Sequence, residues 1–283
     1  MKLMITPDEI RYFKTISATG NMTRASERLG VTQPTLSHAM KRLEAELGCA
    51  LLVRNKTGAR LTKAGEKLNT LIEDLELSWS RIQSMVSDEI NLVEGSYSIG
   101  CHPAVGLSTI HRFMGPLLRD HPKLAINLRH GLSREITEAL LANRLDLGII
   151  ANPSKHPDLV LTELCTEKFA LWKSSDLMNH DVLICDPDLA QVQKLIEACN
   201  KKGIRFKRQI HSSSLELTAK LTSEGVGVGI LPERVLMELS NHKCKLVPHA
   251  PVIKDRVCVV HRKGSQTTEA AAVILNAIKS VKY

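Results

Sequence analysis

Apolar positions in the first 90 residues recur every three or four places and predict four helices, over 7–17, 23–29, 33–47 and 62–89. Thr6 and Thr32 stand where side chains cap the first and third helices, and Gly30 permits a sharp turn before the third. Two short apolar runs, 51–54 and 59–61, flank a glycine-containing turn and predict a hairpin. The order helix, turn, helix and hairpin indicates a winged helix-turn-helix.

Beyond Gly95 the apolar residues fall into short runs that alternate with helical stretches, which is typical of an α/β region. The first part predicts strands at 96–100, 124–129 and 147–150, and helices at 105–121 and 133–143. The second part predicts strands at 160–164, 168–172, 182–185, 204–211, 225–232 and 257–262, and helices at 189–202, 215–224 and 268–281. We therefore expect two α/β lobes, the first made of 91–151 and 252–283 and the second of 152–251.

Positive charge is concentrated in the helical head. Of the net charge of +8, residues 1–65 carry +6, from 11 Lys or Arg and 5 Asp or Glu. This concentration suits a polyanion such as DNA. The polar face of the third helix can reach base edges, and the hairpin adds cations for phosphates or the minor groove. The candidate DNA-binding residues are Thr32, Gln33, Pro34, Thr35, Ser37, His38, Arg42, Arg54, Lys56 and Arg60.

Residues 34–54, PTLSHAMKRLEAELGCALLVR, and residues 61–65, LTKAG, closely resemble the winged helix-turn-helix of LysR-type transcriptional regulators. The family features are present as Ser37, Leu43-Glu44, Gly48, Arg54 and the Leu-Thr-x-x-Gly run that ends at Gly65. Leu52 departs from the family, which usually has Phe there. The stretches 144–149, RLDLGI, and 221–232, LTSEGVGVGILP, look like the effector domain of the same family, so the resemblance covers essentially the whole chain.

The resemblance implies an α/β effector region of two periplasmic-binding-protein-like lobes, over 91–283. An all-α winged helix-turn-helix domain, 1–61, and a long linker helix, 62–90, would precede it. It also implies a regulator that binds double-stranded DNA as a homodimer or a dimer of dimers (a homotetramer), changes DNA bending when an effector closes the lobes, and has RNA polymerase as a further candidate partner.

The long helix predicted over 62–89 carries apolar side chains at roughly heptad spacing, which favours pairing with a second copy. The dimerisation candidates are Leu68, Leu71, Leu75, Trp79 and Ile82. The alternative is a helix that docks on its own domain.

The ends of the predicted strands supply candidates for a small-molecule site, because open α/β sheets bind ligands where strands end and helices begin. These candidates are Cys101, His102, Pro103, Ser133, Arg134, Ser212 and Ser213. Helix N-termini and serine hydroxyls suit an anion, and His102 or Arg134 would supply charge. We therefore expect a small anionic effector. The alternative is that the serines are plain helix caps.

The alternatives to effector control are a regulator without an effector and a cysteine-based redox sensor. Seven dispersed cysteines without a CxxC suit reduced thiols. Cys101 at the cleft, and Cys199 with Lys201 and Lys202 able to lower its pKa, are the redox candidates. The glycines at 225, 227 and 229 do not open a helix, so they indicate close backbone packing rather than phosphate binding.

Enzyme and transport functions find little support in the sequence. It contains no Gly-x-Ser-x-Gly, His-Glu-x-x-His or Walker motif, so no enzyme, cofactor or metal is predicted. Charges interrupt the first ten residues, which excludes a secretory signal, and no run of about 18 apolar residues suggests a membrane span. A solute receptor for transport is disfavoured by the missing secretory signal and by the DNA-binding head, and we expect a cytoplasmic protein.

Overall fold

The computed structural model describes residues 5–55, 58–87, 93–239, 244–265 and 268–281. Within these ranges, the backbone alone is described at 54, 55, 77, 80, 81 and 83–87. The chain divides into two compact units, residues 1–80 and 81–283.

The first unit contains three short helices, a hairpin and the start of a long helix. The elements are α1 Pro7–Thr19, α2 Met22–Leu29, α3 Gln33–Leu47, β1 Leu52–Asn55, β2 Gly58–Leu61 and α4 Lys63–Ser87. Thr6 caps α1 in a reciprocal capping box, in which its hydroxyl accepts from the Glu9 amide and the Glu9 carboxylate accepts from the Thr6 amide. α2 starts one residue earlier than predicted, because Asn21 caps it by accepting from the amides of Thr23 and Arg24.

The core of the first unit is built by one face of each helix. Leu36, Met40 and Leu43 of α3 recur at helical spacing, are buried on one stripe and pack with Phe13 and Ile16 of α1. The spacing of Leu47 predicts that it lies on the same stripe, but it is exposed. The helix ends there, because the next residue, Gly48, adopts left-handed backbone with φ +68° and turns the chain away.

The hairpin is attached firmly at its base. The Glu44 carboxylate accepts hydrogen bonds from the amides of Leu51 (2.8 Å) and Leu52 (3.1 Å), which ties α3 to the start of β1. The Thr62 hydroxyl donates to the Ala50 carbonyl at 2.7 Å, which fixes the end of β2. A Cβ at Gly65 would lie 2.2 Å from the Leu51 carbonyl oxygen, so only glycine fits in this position.

The second unit is an α/β structure. Its strands are β3 Gly95–Cys101, β4 Leu124–His130, β5 Leu147–Ala151, β6 Leu159–Ser174, β7 Val182–Cys185, β8 Arg208–His211, β9 Val228–Pro232, β10 Cys244–Leu246 and β11 Val252–Arg262. Its helices are α5 Pro103–Asp120, α6 Ser133–Leu141, α7 Ala190–Lys201, α8 Leu215–Ser223, α9 Glu233–Leu239 and α10 Glu269–Lys279.

One sheet joins the two predicted lobes. Its strand order is β4-β3-β5-β11-β6-β9-β7-β8, with β10 added to β6. β3, β4 and β5 alternate with helices along the chain, an order that predicts a parallel sheet, and they are parallel. The antiparallel pair β6 and β11 runs through both lobes, so it forms the crossing between them. The parallel strands β7, β8 and β9 belong to the second lobe.

Several predicted elements of this unit were wrong in extent. The two strands predicted at 160–164 and 168–172 are one 16-residue strand, β6, because residues 165–167 stay paired with β11. β11 begins at Val252 rather than at the predicted residue 257, because residues 252–256 also pair with β6. α9 and β10 were not predicted. β9 begins at Val228, because Gly225 turns with φ +74° and a Cβ at Gly227 would lie 2.7 Å from the Val182 carbonyl oxygen. That contact confirms close backbone packing at the glycines.

Candidate nucleic-acid interface and interlobe cleft

The start of α3 presents most of the predicted base-reading residues to solvent. The side chains of Thr32, Gln33, Pro34, Thr35 and His38 are exposed, and that of Ser37 is half-buried. Thr32 caps the helix by accepting from the Thr35 amide at 3.3 Å, and the two threonine hydroxyls lie 2.8 Å apart. These contacts fix the first turn of α3, where N–H groups and short polar side chains face outward together.

Arg42 has a partner inside the protein. Its Nε donates to Glu9 Oε1 at 2.6 Å, and the Glu9 side chain is only 3% exposed. The hydrogen bond from Arg42 lowers the pKa of Glu9 to about 2, against the opposing effect of burial. Arg42 therefore joins α3 to the capped start of α1. Its predicted contact with phosphate stays a prediction, and the sequence did not reveal Glu9 as its partner.

Replacing Glu9 by Gln is expected to destabilise the first unit by about 1–2 kcal/mol at pH 7, because the charged hydrogen bond from Arg42 is lost. The expected effect is no larger, because Arg42 is more than half exposed and solvent weakens the pair. The depressed pKa of Glu9 means that this contribution is present above pH 4.5 and is lost as pH falls towards 2. Urea unfolding at pH 7 and pH 3 measures it, with Glu46→Gln on the exposed face of α3 as the control. Equal stability of Glu9→Gln and the parent at pH 7 would contradict the role given to Glu9.

Of the three cationic side chains predicted on the hairpin, the structure describes that of Arg60. Arg60 of β2 is exposed, and the neighbouring Ala59 is held by a 2.8 Å hydrogen bond from its amide to the Gly20 carbonyl. Lys56 and the side chain of Arg54 lie outside the described residues. The hairpin is thus fixed to the turn between α1 and α2.

The predicted dimerisation residues divide into two groups. Leu68 packs against the core of the first unit, together with buried Ile72, so the start of α4 docks on its own domain. Leu71, Leu75, Trp79 and Ile82 are 51–59% exposed and recur at intervals of four, four and three residues. They form one apolar stripe along α4.

At the end of β3, the predicted effector residues surround the start of α5. Cys101 is buried, His102 caps the helix by accepting from the Ala104 amide at 3.2 Å, and Pro103 is exposed as its first residue. Burial lowers the pKa of His102, although Glu216 and Asp186 oppose the change. This direction does not favour a charged ring, and the expectation that His102 supplies positive charge stays a prediction.

The other predicted effector residues lie at the starts of α6 and α8. Ser133 is not the cap of α6, because its hydroxyl donates to the Ala151 carbonyl at 3.0 Å, and Arg134 beside it is exposed. Ser212 bonds within the loop, since its Oγ accepts from the Ser214 amide, and Ser213 is exposed. Ser214 caps α8 by accepting from the Leu217 amide. Among these serines, capping accounts for Ser214 alone.

The two cysteines considered for redox chemistry, Cys101 and Cys199, are both buried. Burial raises the pKa of Cys101 to about 11, and it also raises the pKa of Cys199 more than Lys202 lowers it. Lys202 thus acts on Cys199 in the expected direction, but burial outweighs it and the net pKa of the thiol is raised. All seven cysteines are free, and Cys49 is the exposed one. A buried thiol with a raised pKa holds little of the nucleophilic thiolate at neutral pH.

A polar cluster that the sequence did not reveal lies on the crossing strands. We call Asn152, Glu167, Gln191, Arg234 and Asp255 the hinge cluster. Asp255 is buried and accepts from Asn152 Nδ2 at 2.7 Å and from Gln191 Nε2 at 3.3 Å. Arg234 Nη2 lies 2.5 Å from Glu167 Oε1. Burial raises the pKa of Glu167 to about 7 despite this guanidinium, and it raises the pKa of Asp255 as well.

A surface cavity of about 380 Å³ lies elsewhere in the second unit, over β6 and β11. Its lining residues are Lys155, His156, Leu159, Leu161, Glu163, Arg256 and Cys258, none of which was predicted as an effector residue. Among the described residues, no group of three or more His, Cys, Asp or Glu is arranged to hold a metal. No described helix is both long enough and apolar enough to cross a membrane.

Comparison with known proteins places both units. Residues 7–66 match the family of bacterial regulatory helix-turn-helix proteins of the lysR type, and residues 91–282 match the LysR substrate binding domain. An uncharacterised HTH-type transcriptional regulator of Bacillus subtilis, YwbI, is 26% identical over 96% of this chain and 95% of its own. A hydrogen peroxide-inducible genes activator of Haemophilus influenzae is 23% identical over 96% and 97%. The crystal structure of full-length CbnR with its target DNA is similar in fold, with a TM-score of 0.69, 20% identity and coverage of 96% and 98%. The chain therefore belongs to the LysR family of DNA-binding transcriptional regulators.

Proposed function

We propose that this regulator reads a specific, two-fold symmetric DNA site as a homodimer or a dimer of dimers, and that a small molecule bound between its lobes controls it. The observation that carries the DNA contact is the capped, exposed start of α3, at which Gln33, Thr35 and His38 face outward. The hairpin that carries the exposed Arg60 is fixed beside the turn between α1 and α2, and it would contact the phosphate backbone of the DNA. Because its target is DNA, the cytoplasm is the location that we propose.

The apolar stripe on α4 supports self-association. Four large apolar side chains on one helical face are costly to leave in water, and a second copy would cover them symmetrically. Two winged heads would then reach two half-sites in the same DNA. RNA polymerase is the partner we propose for the DNA-bound form. We propose no catalytic role, metal or cofactor.

The lobe crossing supports control by a small molecule. β6 and β11 join the lobes through one continuous antiparallel pair, and the strand ends with His102 and Ser212 are the starts of α5 and α8. A ligand that prefers one lobe arrangement would shift the population towards it. An effector with an anionic group remains our proposal, with Arg134 as an exposed cation and Arg234 as one that the sequence did not indicate. The raised pKa values of the buried thiols count against redox control.

The decisive experiment is a salt titration of binding to DNA from upstream of the protein's own gene, with scrambled DNA as the comparison. We expect preferential binding to the upstream DNA, with affinity falling steeply as salt rises. Equal affinity for both DNAs at all salt concentrations would contradict sequence-specific reading of this region.

Replacing Arg60 by Ala is expected to lower affinity for both DNAs and to reduce the slope of log K against log salt by about 1, because one phosphate contact is lost. The same titration measures the effect. Arg119→Ala, which removes an exposed arginine of α5 in the second unit, is the matched control and should leave the slope unchanged. An unchanged slope in Arg60→Ala would exclude the hairpin contact.

A further inference from the structure

One buried ion pair in the hinge cluster has hydrogen-bonding capacity that the described residues do not use. Glu167 of β6 and Arg234 of α9 are 8% and 14% exposed, and Nη2 lies 2.5 Å from Oε1 without hydrogen-bond geometry. The Arg234 backbone amide donates to the Glu167 carboxylate, whereas Nε and Nη1 of Arg234 have no hydrogen-bond partner among the described residues. Buried charges normally have every such group satisfied, so Nε and Nη1 of Arg234 have capacity for a further polar group.

The pair lies where the two lobes meet. Glu167 is the ladder partner of Asp255, whose carboxylate is bonded to Asn152 at the end of β5 and to Gln191 of α7. Arg234 acts electrostatically on His102 at the start of α5, as do Asp186 and Glu216. Groups from both lobes therefore share one electrostatic environment around Arg234.

The charge balance of this environment restricts the ligand. Five carboxylates, on Asp186, Glu216, Glu167, Glu233 and Asp255, stand against three cations, Arg234, Lys168 and the exposed Lys194, and burial lowers the pKa of His102. A ligand that is only an anion would add negative charge where carboxylates already predominate. A ligand with adjacent negative and positive groups would complement Arg234 and Glu167 at once.

We propose that the Glu167–Arg234 pair binds the α-ammonium and α-carboxylate groups of a free amino acid, which is the effector of this regulator. This rests on the proposed control by a small molecule and deepens it. The open Nε and Nη1 of Arg234 donate to the ligand carboxylate, and the oxygens of Glu167 accept from its ammonium. In an amino acid the ammonium and the carboxylate are attached to the same carbon, so they lie close together. The two protein groups are also adjacent, with Arg234 Nη2 2.5 Å from Glu167 Oε1.

The first test measures the Tm of the full-length protein with each of the twenty standard L-amino acids, followed by calorimetric titration of the amino acid with the largest effect. We expect at least one to raise Tm. Its N-acetyl and des-amino derivatives, which lack the ammonium, should bind about tenfold or more weakly than the parent amino acid. Absence of a Tm increase with all twenty would overturn the proposal, as would equal binding of the derivatives.

The second test changes the pair itself. Glu167→Gln/Arg234→Gln keeps similar shapes without charge, and should weaken binding about tenfold to a hundredfold. The matched control is Lys220→Gln/Glu224→Gln, which also removes both charges of an ion pair, here an exposed one at the end of α8 in which Nζ lies 2.6 Å from Oε1. The control should bind as the parent does. Parent-like binding by the Glu167→Gln/Arg234→Gln variant would overturn the proposal.

Two further measurements make the outcome unambiguous. The circular dichroism spectrum of the variant without ligand shows whether it folds. If it does not, Arg234→Lys keeps the charge but removes the planar guanidinium, and the same loss of affinity is expected. DNA binding by the same preparations separates the two proposals. Retained specific DNA binding without any amino-acid effect overturns this inference alone, and loss of DNA binding in the parent overturns the proposed function.

Discussion

Replacing Leu75 and Trp79 together by Glu is expected to convert the protein to a monomer and to weaken operator binding by about a hundredfold or more. Both side chains are more than half exposed at the centre of the α4 stripe. Burying a large apolar side chain contributes about 1.5–3 kcal/mol, and a two-fold interface counts each side chain twice. Glutamates in the same positions would face each other and repel. Once the dimer is lost, each head binds its half-site alone, without the high effective concentration that a linked second head provides.

Sedimentation velocity measures the mass of the variant, and the salt titration above measures its affinity for a full operator and for an isolated half-site. Thr70→Glu is the matched control, because Thr70 is an exposed residue of the same helix on a different face. It should remain a dimer with parent-like affinity. A dimeric Leu75→Glu/Trp79→Glu variant would show that the stripe does not hold the dimer together.

The reading head is the part that the sequence predicts most completely, because its signals are local. The bounds of α3, Gln33–Leu47, are as expected, since Thr32 caps one end and Gly48 ends the other through left-handed backbone. Leu36, Met40 and Leu43 recur at helical spacing and are buried. Each of these features depends on residues within a few positions, so tertiary packing has little to override.

The crossing strands were predicted poorly, because their continuity depends on distant pairing. Glu167 interrupts the apolar alternation of β6, and the pairing of residues 165–167 with β11, far along the chain, keeps the strand continuous. α9 has seven residues and begins with Glu233 and Arg234, too short and too charged for a helical period to show. The sequence therefore did not reveal which residues of separate strands pair with one another.

The same reason explains the missed site residues. Charged residues are normally exposed, so nothing in the local sequence distinguishes Glu9 or Glu167 from a solvated glutamate. Their burial comes from elements far away in the chain, α3 for Glu9 and α9 for Glu167. The strand-end rule, by contrast, led to His102 and Ser133 correctly as residues at helix starts, but it gave no information on their protonation or bonds.

Replacing Glu167 by Gln is expected to stabilise the second unit at pH 8 by up to about 3 kcal/mol and to leave its stability at pH 5 nearly unchanged. Burial raises the pKa of Glu167 from 4.5 to about 7, although Arg234 opposes the change; Asp255 and Glu233 add to the increase. The folded protein therefore binds more protons than the unfolded chain between these two values. Stability falls as pH rises through this interval, and the penalty is complete above pH 7.

Glutamine resembles the protonated side chain, so the variant avoids the cost of the buried charge. Other groups titrate in the same interval: the raised pKa of Asp255 acts in the same direction, whereas the lowered pKa of His102 acts against it. Both are present in parent and variant, so the difference between the two proteins isolates Glu167.

Urea unfolding followed by tryptophan fluorescence measures this difference. Trp172 is buried in the second unit and changes environment on unfolding, and the only other tryptophan, Trp79, is the same in parent and variant. Glu163→Gln, at an exposed position of the same strand, is the control and should leave the pH dependence unaltered. If Glu167→Gln and the parent lose stability equally between pH 5 and pH 8, the Glu167 carboxylate is not the buried charge that limits the stability of the hinge cluster.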